Sequence, residues 1–388
     1  MLGPITVKEQ ARSLHFHSFR FRHGRSVTLE PLMAAKTTVA IIGAGLIGPR
    51  HAQSVIECAD AELIAFVDPN SQTDATARSF GVPCYRTIEC LLALGRAPDA
   101  AIVCTPNHTH VDISEKVLHA GLHVLVEKPV SVDVSSGARL SEAVRATSKQ
   151  LLVGHHRRFH PYVVATKKAL ESDAIGRPIA LSGLWTLRKP DSYFAPPADW
   201  RSRAKGGGPV LINLIHDIDI LQYLLGPITR VHAERSLSQR DHQVEEGAAI
   251  MLRFASGVVG TFVLSDATPS PHSFESGTGE NPIIPSHGKD FYRIFGSKGT
   301  VSVGDMKLWR HAPGDEASWS NRLIETNVEV GSEVPFDEQI KHFVRVVQGL
   351  EAPRCSIADG LRAVMVTEAV KEALDTGVPV DIARASTW

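Results

Sequence analysis

Apolar and polar positions follow a regular order from residue 37 onward. A run at 38–42 is followed by a glycine turn, a helix-compatible stretch to about residue 58, a second apolar run at 62–67 and a turn at Asp68-Pro69-Asn70. That order predicts a βαβ unit. Further strand-like runs at 100–104, 123–126 and 151–153 alternate with helix-compatible stretches at 110–120 and 134–147. An open parallel sheet with helices on both faces requires such alternation. After Pro161 the pattern changes. One helical segment, 163–170, precedes longer strand-like runs at 180–187, 229–236, 248–254, 258–265, 292–295 and 300–303. Turn signals at Ser256-Gly257 and Ser297-Lys298-Gly299 predict a mostly antiparallel sheet, with helices at 210–225, 336–348 and 360–374. The stretch 269–289, rich in Pro, Gly and Ser, predicts a long surface loop near an opening. The expected class is α/β: an N-terminal parallel-sheet domain at 34–158 and a C-terminal α+β domain at 159–388.

Length and composition narrow the partners. The 388 residues allow two or three domains, and 43% hydrophobic content excludes a disordered chain. Lys and Arg total 41 against 42 for Asp and Glu, without blocks of like charge, which argues against nucleic acid or an acidic membrane surface. The longest apolar stretch, 210–225, is broken by Asn213, His216, Asp217 and Asp219, so no membrane span is expected. Five scattered cysteines without a CxxC pair predict neither a disulfide framework nor a zinc site, and fit a reduced, cytoplasmic location. Residues 1–33 carry Lys8, Arg12, Arg20, Arg22 and Arg25 against only Glu9 and Glu30. This extension reads either as an organelle transit peptide or, the favoured reading, as translation from a start upstream of Met33.

The first turn carries candidate chemistry. Gly43-Ala44-Gly45-Leu46-Ile47-Gly48 follows a strand and opens a helix. In that context the first glycine makes the tight turn, the second admits a pyrophosphate to the backbone and the third lets helix pack on strand. Asp68, 20 residues beyond Gly48 at the end of the second strand, would accept hydrogen bonds from ribose hydroxyls and repel a 2′-phosphate. NAD is therefore expected in preference to NADP. Pro69 and Asn70 put no basic residue directly after the acid, with Arg86 a candidate neighbour.

Two more motifs fall at the carboxyl ends of strands, where open α/β sheets bind ligands: Thr105-Pro106-Asn107-His108-Thr109-His110 and Glu127-Lys128-Pro129. Together with VGHHRRF (153–159) and GGGPVLINLIHDID (206–219), they resemble the glucose-fructose oxidoreductase, inositol dehydrogenase and MocA (Gfo/Idh/MocA) family over about residues 37–385. The resemblance implies a Rossmann domain for NAD, a substrate-binding C-terminal domain, and a homo-oligomer, dimer or tetramer, formed through the C-terminal sheet. It implies that Lys128 and His216 are catalytic. Thr105, Pro106, Asn107, His110, Glu127, Lys128 and Arg158 would line the cofactor beside the glycine loop. Many members place an aspartate four residues before the histidine, but here that position is Ile212, with Asn213 next to it. Either Asn213 supplies a polar contact from a shifted turn or the role is absent.

Hydride transfer from a carbinol carbon needs alignment and a group that takes the hydroxyl proton. His216 is expected as proton acceptor and Lys128 as the polarising group, with the roles exchangeable. Tyr193 and Trp200, within a stretch that also holds Trp185, Arg188, Lys189 and Arg201, suit a small hydroxylated substrate, with Asn213 beside them. A metal is not expected: His155 and His156, adjacent on a strand, would face opposite ways. The expected activity is NAD-dependent oxidation of a sugar, polyol, cyclitol or sugar acid. The alternatives are a nucleotide-sensing regulator and an enzyme that cleaves glycosides with transient use of NAD.

Overall fold

The computed structural model describes residues 35–93, 97–204 and 206–382; the extension at 1–33 lies outside them. The first half runs β1 (Thr37–Ile42), α1 (Gly48–Glu57), β2 (Ala61–Val67), α2 (Asp74–Ser79), β3 (Cys84–Tyr85), α3 (Ile88–Leu92), β4 (Ala100–Val103), α4 (His110–His119), β5 (His123–Glu127), α5 (Val134–Thr147) and β6 (Leu151–Gly154). Its six strands are all parallel, in the order β3-β2-β1-β4-β5-β6. Every residue of β1 and β4 is buried, because helices cover both faces. The progression of strand order reverses between β1 and β4, and the crevice beyond their carboxyl ends is where such sheets take ligands. β3 was not expected from the sequence, since two half-buried residues carry no periodic signal.

The second half comprises α6 (Pro161–Glu171), β7 (Pro178–Thr186), α7 (Ile215–Leu225), β8 (Ile228–Arg235), β9 (Gly247–Phe254), β10 (Val259–Ser265), α8 (Phe274–Thr278), β11 (Tyr292–Gly296), β12 (Gly299–Val303), β13 (Lys307–Arg310), β14 (Ile324–Asn327), α9 (Pro335–Val347), α10 (Ile357–Thr376) and β15 (Val380–Asp381). Nine strands form one sheet, β14-β13-β12-β11-β7-β10-β9-β8-β15, antiparallel except for the central pair β7 and β10. Burial alternates strictly along most of β9 and β10, so one face is covered and the other open.

α10 joins the halves. It packs on α5, where Leu361 lies against Gly137, and on β8, and Gly360 meets the first sheet so closely that a Cβ on it would stand 2.9 Å from Val153 Cγ2. Among the described residues no helix is long and apolar enough to cross a membrane.

Two expectations need correction. The helix expected at 210–225 begins with a π-turn, Val210–Leu214, before α7 starts at Ile215. The stretch 269–289 is not simply a surface loop. It contains α8, capped by Ser273, and Phe274, Glu275 and Ser276 are buried, because Phe274 packs on Phe291 and His160.

Candidate active site

The glycine loop has the geometry a dinucleotide needs. Gly43 sits at φ +97°, and a Cβ there would stand 2.7 Å from Cys104 O; one on Gly48 would stand 2.2 Å from Gly43 O. Both glycines are demanded by the protein's own packing. A Cβ on Gly45 would meet nothing within 4 Å, so the space beside it is open, as the second glycine of such a loop requires for a pyrophosphate to approach the backbone. Leu46 is almost fully exposed at the loop tip and Ile47 is half-buried against the core. The N–H groups of this loop precede the first turn of α1, where a helix has no carbonyl of its own to offer them.

Asp68 stands at the rim of that loop. Its Oδ2 accepts from Ala44 N–H and its Oδ1 from Asn70 N–H, each at 2.8 Å. Arg86 does lie beside it, on the carbonyls of Asp68 and Asn70 at 3.2 and 3.3 Å, but its fork is held by both oxygens of Asp74 at 2.7 and 2.6 Å. The open space at Gly45 and the oriented acid fit NAD.

Across the switch point, Thr105 is half-buried and Pro106 and Asn107 are exposed at the mouth of β4. His110, expected against the cofactor, forms a strut. Its Nδ1 lies 2.7 Å from Pro129 O and its Nε2 2.8 Å from Thr105 O, which clamps the lysine loop to the β4 loop. Burial lowers its pKa.

Lys128 follows β5 directly, before a cis bond to Pro129. The lysine is half-buried, and loss of hydration lowers its pKa, with the Glu127 carboxylate opposing. Glu127 in turn binds His51 of α1, Oε1 to Nε2 at 2.7 Å. Burial pushes Glu127 up, but the hydrogen bond and charge of His51 outweigh it and hold it at about 2.

His216 lies in the first turn of α7, buried, with Nδ1 unpartnered. Burial and then the charges of Lys128 and Arg157 hold its pKa well below the usual histidine value, which brings Lys128 and His216 into one cluster. His155 and His156 do not point to opposite faces as expected. β6 ends at Gly154, and both rings stand edge-on to His216, with centroids at 6.1 and 5.9 Å.

A ring of ion pairs surrounds these groups. Arg157 binds Glu280 (Nε to Oε2 at 2.9 Å) and Glu275 (Nη2 to Oε1 at 2.6 Å), and stacks 4.1 Å over Phe274. Trp185 donates to the other Glu275 oxygen at 2.9 Å. Asp217, next to His216, accepts from the Tyr292 hydroxyl, and burial raises it to about 7.

Asn213 occupies the π-turn, and its Oδ1 accepts from Lys189 at 2.7 Å, the polar contact from a shifted turn that Ile212 cannot make. Lys189 is buried, which lowers it to about 8 although Asp266 opposes. Tyr193 and Trp200 lie on neighbouring short turns with Arg201 between them, 3.9 and 5.7 Å from their rings. Arg158, expected under the cofactor, is held by protein partners. Its fork binds Asp219 at 2.8 and 2.9 Å, and its Nη1 binds Arg354 O at 2.5 Å. A cavity of about 620 Å³ at the β13 edge, between Trp309 and Trp319, touches none of these groups.

Sequence reasoning missed His51, Arg157, Asp217, Glu275 and Glu280 as parts of this cluster. His51 had a signal, three residues after Gly48 on the inward face of α1. The two glutamates had none, because they arrive on a segment with no periodicity.

Comparison with known proteins agrees with this arrangement. Residues 37–155 match the oxidoreductase family with an NAD-binding Rossmann fold, and residues 163–302 match the GFO/IDH/MocA C-terminal domain. The chain is similar to inositol 2-dehydrogenase of Rhizobium meliloti, 31% identical over 69% of this chain and 75% of that protein. It is also similar to scyllo-inositol 2-dehydrogenase (NAD(+)) of Bacillus subtilis, 26% identical over 92% and 99%. Among solved structures, the WlbA dehydrogenase of Bordetella pertussis in complex with NADH and UDP-GlcNAcA shares the fold with a TM-score of 0.71, at 22% identity over 90% of this chain and 99% of that one. Myo-inositol 2-dehydrogenase of Lactobacillus plantarum shares it with a TM-score of 0.70, at 21% identity over 90% and 100%. The chain belongs to the Gfo/Idh/MocA family, NAD-binding oxidoreductases of the inositol and sugar dehydrogenase type.

Proposed function

We propose that this enzyme oxidises a secondary hydroxyl of a cyclitol, sugar, polyol or sugar acid, with His216 as proton acceptor and Lys128 as the group that orients and polarises the hydroxyl. The nicotinamide ring, when bound, accepts the hydride. The carrying observation is a half-buried Lys128 at the end of β5 beside a buried His216, which burial and neighbouring cations hold well below the usual histidine pKa. A neutral imidazole can take a proton at physiological pH; an imidazolium cannot. With Nδ1 buried, Nε2 is the nitrogen left to meet the hydroxyl. Lys128 reaches the same point from the opposite half, so the substrate is taken between residues 34–158 and 159–388. Asp68, the glycine loop and the mouth residues Thr105, Pro106 and Asn107 hold the dinucleotide, while His110, His51 and Glu127 keep the strand ends in register.

Assembly as a homo-oligomer through the nine-stranded sheet is part of this reading. Met251, Val259, Val263 and Phe295 project from its open face and together form an apolar surface of the kind that subunit interfaces cover. Light scattering on the wild type and on Val263→Glu checks it: a dimer or tetramer that falls to monomer is expected.

The activity is tested by following NADH and NADPH formation across aldoses, inositols, polyols and sugar acids, with Lys128→Met alongside. NADH formed with one compound class and lost in the variant is expected. Tight NAD binding with no net NADH from any class would overturn the reading.

A further inference from the structure

Charge does not balance at the Tyr193 end of the cleft. Lys189 Nζ stands 4.6 Å from the Tyr193 ring centroid and the Arg201 guanidinium 3.9 Å over it, while Arg240 lies 4.8 Å over the neighbouring Phe194. Among the described residues one carboxylate pairs with two of these three cations and none pairs with the third. Asp266 binds Arg240 at 2.8 Å and Lys189 at 3.5 Å. Glu275, the other acid whose field reaches Tyr193, is already bound by Arg157 and by the Trp185 indole. Arg201 donates to Tyr193 O at 3.0 Å and has no ion pair among the described residues.

A buried ammonium without full neutralisation is costly, and Lys189, with the half-buried, unpaired Arg201 against the same Tyr193 ring, calls for an anion. Lys189 has three N–H donors. One goes to Asn213 Oδ1 at 2.7 Å, and the longer approach to Asp266 occupies a second. The third remains for a ligand. Asn213 sits in the turn that leads into His216, so Lys189 is anchored on the element that carries the proton acceptor. Arg201 brings a planar fork that matches a carboxylate with two parallel hydrogen bonds, between the Tyr193 and Trp200 rings.

We propose that Lys189 and Arg201 form a carboxylate subsite, so that the substrate is a sugar acid whose carboxylate docks against Tyr193 while its reacting hydroxyl meets Lys128 and His216. This rests on the dehydrogenase reading and narrows its substrate class. A neutral cyclitol of the same size would leave both cations unanswered.

The test is calorimetric titration of the NAD-loaded full chain with D-galacturonate, D-gluconate, D-galactose and myo-inositol, with NADH formation followed in parallel. The acids are expected to bind at least about tenfold more tightly than the neutral compounds, the worth of one charge-assisted hydrogen bond. Arg201→Met is expected to weaken acid binding by about 10–100-fold and collapse the acid-to-neutral ratio, with Arg201→Lys restoring part of it. Acid binding lost in Arg201→Met without any NADH would retain the subsite and remove the dehydrogenase reading. Tighter binding of the neutral compounds, no acid binding, or an unchanged ratio in Arg201→Met would overturn the subsite, even where NADH still forms.

Discussion

His51 Nε2 meets Glu127 Oε1 at 2.7 Å, and through that bond the helix behind the glycine loop grips the strand end that presents Lys128. Removing one partner of a buried pair leaves an uncompensated charge. His51→Ala should therefore destabilise the fold by about 3–5 kcal/mol in denaturant titration. The double variant His51→Ala, Glu127→Gln should recover much of that loss, because the stranded carboxylate is gone. Equal losses in the single and double variants would refute the coupling.

Lys128 and His216 should separate chemistry from cofactor binding. Lys128→Met should lower kcat on the order of 10² or more, and His216→Asn on the order of 10²–10⁴, while calorimetry still records NAD binding. His216 is held well below the usual histidine value, so it stays neutral across the physiological range, and kcat/KM should fall only on the acid side of that range. Loss of NAD binding alongside activity in both variants would point to a structural role instead.

Asp217 gives a pH signature of its own. Its folded pKa, about 7, lies above the ordinary value of 3.8, so the fold favours the protonated acid. The resulting stability is fully present below about pH 4 and is lost as pH rises through about 7. Asp217→Asn keeps an acceptor for the Tyr292 hydroxyl and cannot ionise. Relative to wild type, the variant should be more stable near about pH 8 than near about pH 5 in urea titrations. A difference that does not change with pH would contradict the raised acid.

The glycines divide by what they would strike. Gly48→Ala drives a Cβ to 2.2 Å from a backbone oxygen and should cost about 2 kcal/mol or more, as overpacking does. Gly45→Ala meets no protein atom, so it should leave stability within about 0.5 kcal/mol of wild type while weakening NAD binding. Matched thermal melts and calorimetry distinguish the two.

Asp68→Ala removes the carboxylate proposed to repel a 2′-phosphate, and with it the acceptor for Ala44 N–H. The ratio of KM for NADP to KM for NAD should narrow by about tenfold or more, a shift of one charged hydrogen bond. A wild type that already prefers NADP would refute the role given to the acid.

What could be read along the chain was what depends on near neighbours. The period of apolar positions announces β1, β2, β4, β5 and β6 and most of the second sheet, because strand burial repeats every second residue or fills both faces. The glycine loop, Asp68 and the Glu127-Lys128 strand end were legible for the same reason, since a turn, a strand end and a helix start are local events. Short strands such as β3 and β15 were not, because two residues hold no period. The partners of His110 and Arg158 were not legible because they come from other segments: Pro129 for one, Asp219 and Arg354 for the other. Likewise the π-turn that lets Asn213 reach Lys189, and the inward packing of α8 that brings Glu275 and Glu280 to Arg157, depend on residues 24 and more than 100 positions apart. Charge balance in a closed cleft is a property of all the groups that share it, so it appears only once the chain has brought them together.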